Sequence, residues 1–287
     1  DVTEKFGFTK NTDEFQKGEV ISLLYEPGMF PALLNATKEA NNVLELVPKN
    51  GGIPQKANLE LHLKAFEQAV EKYLSDSNAG LVVIDMEQWF PQYTLNIGPR
   101  EVYQTMSKYT IIKDYPELES EPNKVEAKAK ESFENASMAF LTETLKEGRR
   151  LRPNATWGFY MYPVCSLKPE EKTCSPDVVE ANNQMNWFYN LTTALYPSLY
   201  LSGALNDDDR AEIIRARTAE AIRVSTLDGR NISVYPYISI HYEDNGSLVS
   251  KMDLENLMKI PKEMGATGVI LWSSRSLFQK EEQCEWF

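Results

Sequence analysis

Two periodicities alternate along the chain. Short runs rich in β-branched and aromatic residues, Val20–Tyr25, Gly80–Glu87, Thr156–Tyr162, Pro197–Leu201, Ile232–Ile240 and Gly268–Trp272, read as strands. Between them apolar residues return every three or four positions. The clearest helical stretch runs from about Asn123 to Glu147, where Val125, Ala129, Phe133, Ala136, Phe140 and Leu141 fall on one stripe and Gly148 supplies a stop. Further helices are expected over Leu59–Leu74, Val178–Leu195, Asp207–Thr226 and Met252–Met264. Strand-then-helix alternation, with no internal repeat or low-complexity linker, predicts a parallel sheet with right-handed crossovers. Polar or aromatic residues recur at the strands' C-terminal ends, which favours an α/β barrel, with residues 1–287 as a single domain.

One strand end carries the sharpest chemical signal. In Gly80–Glu87 an apolar run closes on Asp85 and Glu87, and the i, i+2 spacing turns both carboxyls to one side, roughly 6–7 Å apart along the backbone. Two such groups cannot ionise independently, so one tends to keep its proton near neutral pH, as a general acid for a glycosidic oxygen must. An isolated D-x-E more often just ends a strand in a solvated loop. The other ends add Tyr25 with Glu26, Tyr160 and Tyr162, Tyr200, Tyr237 with Tyr242 and Glu243, and Trp272 with Ser273 and Ser274. A lone aromatic at such a position is usually a packing residue. Six positions converging on one barrel face instead describe acids in a bowl of rings, an environment suited to sugars.

Composition narrows the class. The chain has 287 residues, 42% of them hydrophobic, enough for a sizeable core. Its formal net charge of −12 argues against nucleic-acid partners and anionic membrane surfaces. No run of 18 apolar residues occurs, so no membrane insertion is expected, and the start at Asp1 without a leader suggests a processed chain. N-x-S/T sequons stand at Asn35, Asn135, Asn154, Asn190, Asn231 and Asn245. Chance would give about two or three, so six favour a secreted glycoprotein. Cys165 and Cys174 are spaced for a local disulfide, which leaves Cys284 over. His62 and His241 have no second ligand at metal-site spacing, and no metal or cofactor is expected.

Several longer stretches carry a family likeness. They are Leu24-Tyr25-Glu26-Pro27-Gly28-Met29-Phe30-Pro31, Asn50-Gly51-Gly52-Ile53-Pro54-Gln55, Ile84 to Trp89, Trp157-Gly158-Phe159-Tyr160-Met161-Tyr162-Pro163-Val164-Cys165, Tyr196-Pro197-Ser198-Leu199-Tyr200 and Gly268-Val269-Ile270-Leu271-Trp272. On these the chain resembles the hyaluronidase family of glycoside hydrolases from animal tissues and arthropod venoms. The resemblance implies a distorted seven-stranded (β/α)7 TIM-like barrel and hydrolysis of β-1,4 bonds after N-acetylhexosamine in hyaluronan or chondroitin. It implies Glu87 as the general acid and no protein nucleophile, because the substrate's own acetamido oxygen attacks, with Asp85 and Tyr200 holding that group. Tyr160 and Trp272 would line the N-acetyl subsite, and Tyr25, Glu26, Tyr237 and Glu243 the rest of the groove.

Departures from the family pattern are equally specific. Trp89 is followed by Phe90-Pro91 where relatives usually carry Arg-Pro, so a cation able to meet a sugar carboxylate is missing there. The family's Tyr-Asp-Pro-Gly reads Tyr25-Glu26-Pro27-Gly28, Val164 precedes Cys165, and Arg275 stands where a small or polar residue is usual. With six strands read, the first barrel strand is expected to be absent from this chain, and with it the N-terminal Cys that the resemblance pairs with Cys284. The partner implied is a glycosaminoglycan and the location extracellular rather than lysosomal. Two alternatives stand beside the hydrolase: a weak or inactive homologue that binds glycan, as a venom or salivary protein, and a chitinase-like enzyme. The second lacks upstream acids, since Leu81, Val82 and Val83 fill those places.

Overall fold

The computed structural model describes residues 18–38, 43–167 and 171–273, together with Gly7, Thr9 and Asn11. The chain separates into two compact units, residues 13–155 and residues 156–287 with 1–12.

In the 13–155 unit, β1 (Ile21–Tyr25) pairs in parallel with β4 (Leu81–Asp85), in a register that sets Tyr25 opposite Asp85. Val82, Val83 and Ile84 are fully buried, as the unbroken apolar run of a strand covered on both faces requires. An antiparallel hairpin, β2 (Ala32–Lys38) with β3 (Val43–Lys49), and a helix over Glu101–Asp114 were not anticipated. The helix at Leu59–Tyr73 opens on Asn58, whose side chain accepts a hydrogen bond from the Leu61 amide at 2.9 Å. It buries His62, Phe66 and Val70, one turn apart, and packs on the long helix Pro122–Leu151. That helix runs through Gly148, the expected stop. Its end is set instead by Arg152, whose amide bonds to Gly148 O at 2.9 Å and whose buried guanidinium holds the Leu74 and Ser75 carbonyls and Asp76.

His62 locks this unit internally. Its Nδ1 accepts from the Met29 amide at 3.0 Å, so the proton lies on Nε2, which donates to Thr144 Oγ1 at 2.8 Å; that hydroxyl passes its own hydrogen to Phe140 O. Phe30 and Phe140 rings stand 4.2 and 5.2 Å from the imidazole. Gly28, at φ 84, approaches so closely that a Cβ would lie 2.8 Å from His62 O, which explains the glycine.

In the other unit, β5 (Thr156–Phe159), β6 (Ala194–Leu195), β7 (Ser233–Val234), β8 (Tyr237–Ile238) and β9 (Ile270–Leu271) run in parallel. β6 pairs with β7 and β8 with β9, with single bridges Tyr160 to Tyr196 and Ser198 to Tyr237. The strands expected at Pro197–Leu201 and Ile232–Ile240 are therefore shorter or split. Pro197 and Pro236 are the reason: each lacks an amide hydrogen and enters the ladder only as an acceptor, from Tyr237 and Ile270 at 2.8 and 2.9 Å. The helix expected over Val178–Leu195 divides into Pro176–Gln184 and Asn186–Tyr189 and yields to β6. Asn182 there directs its amide to Val164 O and Glu220, and such side-chain competition with the backbone weakens helices. Asp207–Thr226 forms as read, and Lys251–Glu263 within a residue.

These last two helices enclose Leu199, Leu201, Ile214, Ile238, Val249, Leu257 and Ile260. Asp253, fully buried, accepts from Tyr242 and from Ser250 at 2.8 Å and forms an ion pair with Arg210 at 2.9 Å, so Tyr242 is a structural residue. Cys165 and Cys174 form the expected disulfide.

Burial, with a smaller contribution from Lys49, pushes the His62 imidazole down to about 3. The unfolded chain therefore takes up a proton near 6.5 that the folded state refuses, and stability is full above that pH and falls as pH drops toward 3. Urea unfolding at pH 7 and pH 4 should differ by a contribution of roughly 3 kcal/mol from this residue. His62→Gln should flatten that slope while lowering stability at pH 7; an unchanged slope would show that other groups carry it.

Candidate active site

Parallel strands paired in register end together, and that fixes the acid cluster. Glu26, next after β1, donates its amide to Asp85 O at 2.8 Å. It sits at φ 41, a left-handed conformation that costs a Glu about 1 kcal/mol and marks an over-determined position. Its carboxylate accepts from Gln88 Nε2 at 2.5 Å and from Lys49 Nζ at 3.4 Å. Asp85 is half-buried, Glu87 exposed, and their carboxyls are hydrogen-bonded to one another. Burial first, then repulsion by and hydrogen bonding with Glu87, then repulsion by Glu26, push Asp85 up to about 7. The pair thus holds one proton near neutrality, shared as a unit.

The backbone behind the acids is tightly held. Trp89 is buried and its indole N–H donates to Pro31 O at 2.8 Å. Buried Asn96 clamps Phe90 from both sides, accepting from its amide and donating to its carbonyl, each at 2.9 Å. Arg100 donates through Nε and Nη2 to Glu87 O at 3.0 and 2.9 Å and lies 4.8 Å over the Phe90 ring. Lys49, Gln88 and Arg100 were missed in the sequence. Gln88 could have been noticed as the neighbour of the acids; nothing marked Lys49, on an unforeseen strand, or Arg100, which reaches back thirteen residues.

The other unit carries the aromatic candidates. Tyr160 meets Tyr237 edge-on at 5.0 Å and Tyr200 at 6.1 Å, and Tyr200 stacks on Trp272 at 6.0 Å. Tyr237 is buried, Tyr200 and Trp272 half-buried, and Glu243 exposed. Arg217 fixes the turn beneath Tyr200, donating to its carbonyl at 2.9 Å and to Ser198 O at 3.3 Å. Burial lowers the Arg217 guanidinium's pKa, opposed by Glu243 and Tyr160. Tyr25, in the first unit, is 62% exposed. All six sequon asparagines are exposed. Ser274, Arg275 and Cys284 lie outside the described residues.

Barrel glycosidases carry their acids at the C-terminal ends of parallel strands, the position Asp85 occupies here. The Hyaluronidase family profile matches residues 2–287, and the chain belongs to that family of glycoside hydrolases. It is 33% identical over 290 residues to a hyaluronidase of Apis mellifera, covering 99% of this chain and 74% of that one. A hyaluronidase of Tabanus yao is 32% identical, covering 100% and 82%. The crystal structure of bee venom hyaluronidase superposes with a TM-score of 0.89 at 33% identity, and that of its complex with a hyaluronic acid tetramer with 0.91 at 32%; each covers 100% of this chain and 88% of the other. The fold is that TIM-barrel-like α/β fold.

Because the folded Asp85 holds a proton that the unfolded chain releases near 3.8, this group costs stability as pH rises from about 4 to about 7. Asp85→Asn should stabilise the protein at pH 8 by about 2 kcal/mol, discounted for partial exposure, and have little effect at pH 4. Thermal melts at both values check this; destabilisation at pH 8 would contradict the crowding of carboxyls.

Proposed function

We propose that this chain hydrolyses the β-1,4 bonds that follow N-acetylhexosamine in hyaluronan, with chondroitin as a second polymer. Family membership supports the substrate class, and the hydrogen-bonded Asp85 and Glu87 pair is the observation that carries the chemistry. Glu87, the exposed member, protonates the leaving glycosidic oxygen and later deprotonates the attacking water. Asp85, the half-buried member, orients the acetamido group, whose oxygen attacks the anomeric carbon with retention. Tyr200 takes the same orienting role by family resemblance. Tyr160 and Trp272 line the N-acetyl subsite, Tyr25, Glu26 and Glu243 contact neighbouring sugars, and Tyr237 supports Tyr160. Residues 1–287 form one such hydrolase domain.

The protein is proposed to act outside the cell. The Cys165 to Cys174 disulfide and six exposed sequons support that reading, and among the described residues no helix is long and apolar enough to cross a membrane. Treating the secreted protein with an enzyme that removes N-linked glycans should lower its mass; an unchanged mass would leave the sequons unoccupied.

Incubation with hyaluronan should release even-numbered oligosaccharides detectable by mass spectrometry, and Glu87→Gln should cut turnover by about 10² to 10⁴-fold, the usual contribution of a general acid. The rate should fall as pH rises through about 7, because the acid pair then loses the proton that the leaving group needs. Full turnover by Glu87→Gln sinks the assignment. A second reading, an inactive homologue that binds glycan, is favoured by Phe90 at the position after Trp89; binding without product would establish it.

A further inference from the structure

Phe90 removes a cation from the place where the family resemblance expects one, yet its ring is where Arg100 comes to rest. The guanidinium carbon lies 4.8 Å from the ring centroid, and Nε and Nη2 both bond to Glu87 O, the backbone of the acid itself. Two of its three nitrogens and one face are thereby fixed, while Nη1 is not engaged in those bonds. Among the described residues no carboxylate forms an ion pair with Arg100, whereas Lys49 already pairs with Glu26. A polyanion approaching Glu26, Asp85 and Glu87 meets like charge, in a chain of net charge −12. In a polymer that alternates hexosamine with uronate, each bond presented to the acids carries a carboxylate on an adjoining ring.

We propose that Arg100 is the cation that binds this uronate carboxylate, with Phe90 as its platform and the Glu87 carbonyl as its anchor. The proposal rests on the hyaluronan reading above and makes Arg100 a residue that selects anionic over neutral polymer. A planar guanidinium whose other donors are fixed loses little freedom on meeting a carboxylate, which a free lysine would not achieve.

Binding measured by calorimetry in the Glu87→Gln protein keeps the ligand intact. Hyaluronan octasaccharide and its carboxyl-reduced, neutral counterpart are each titrated into that protein and into versions also carrying Arg100→Gln or Arg100→Lys, with circular dichroism as the folding control. Arg100→Gln should weaken the anionic ligand at least about tenfold and leave the neutral one within about twofold, and Arg100→Lys should recover part of the loss. Equal losses on both ligands would reduce Arg100 to a clasp for the Glu87 turn and overturn the proposal, as would no loss on either. If folded Glu87→Gln protein that retains Arg100 binds neither ligand, the hyaluronan reading itself falls and takes this one with it.

Discussion

The in-register parallel pairing of β1 with β4 is the constraint from which the acid site follows. Because Tyr25 stands opposite Asp85, the chain leaves both strands at the same level, and three carboxyl groups, of Glu26, Asp85 and Glu87, crowd at one edge. Left to themselves they would repel. The structure answers with specific partners: Lys49 and Gln88 on Glu26, and a proton held between Asp85 and Glu87. The unfavourable electrostatics is thus confined to one pair, and that pair is the one able to deliver a proton. The uninterrupted burial of Val82, Val83 and Ile84 keeps the strand in place against this local cost.

Rigidity behind the acids comes from groups with no chemistry of their own. His62 receives the Met29 amide, and the Gly28 backbone rests against it, so the segment after Glu26 has few alternative paths. Trp89 is tied to Pro31 and Phe90 to Asn96, which fixes the segment after Glu87 in the same way. A buried histidine kept neutral by burial is a packing element here. Both loops bearing acids are thereby held by buried hydrogen bonds from side chains, the arrangement that keeps reacting groups within the small displacements that catalysis tolerates.

What was legible in the sequence depended on how local the cause was. The unbroken apolar run up to Asp85 and the helix Asp207–Thr226 are set by neighbours in the chain; the helix appears as read, and the strand forms but ends at Asp85, two residues short of the expected Glu87. Strands interrupted by Pro197 and Pro236 were read too long, because their composition is strand-like while their missing amide hydrogens are felt only once a ladder forms. The Glu101–Asp114 helix escaped notice since Val102, Thr105, Thr110, Ile111 and Ile112 favour strands and its apolar stripe is faint. The hairpin Ala32–Lys38 with Val43–Lys49 carries Pro48 and exposed leucines at Leu34 and Leu46, a pattern with no clear buried face. The proton-sharing of the acid pair was foreseen from spacing. Its location was not, since Asp85 is the more buried member only after the strand is packed.

The Phe90 departure shows why a motif cannot be scored position by position. Read along the chain, replacing a cation by phenyl deletes a charge beside the acids. In three dimensions the phenyl creates a seat for another charge, because a guanidinium over an aromatic face gains roughly 0.5–2 kcal/mol and needs no counter-ion. An arginine directly after Trp89 would occupy the place of that seat, so Phe90 and Arg100 work as a pair in which neither residue alone has the property. The clamp of Asn96 on the Phe90 backbone gains its meaning from this: a platform that moved would release the cation, and the Glu87 carbonyl that the cation holds would move with it.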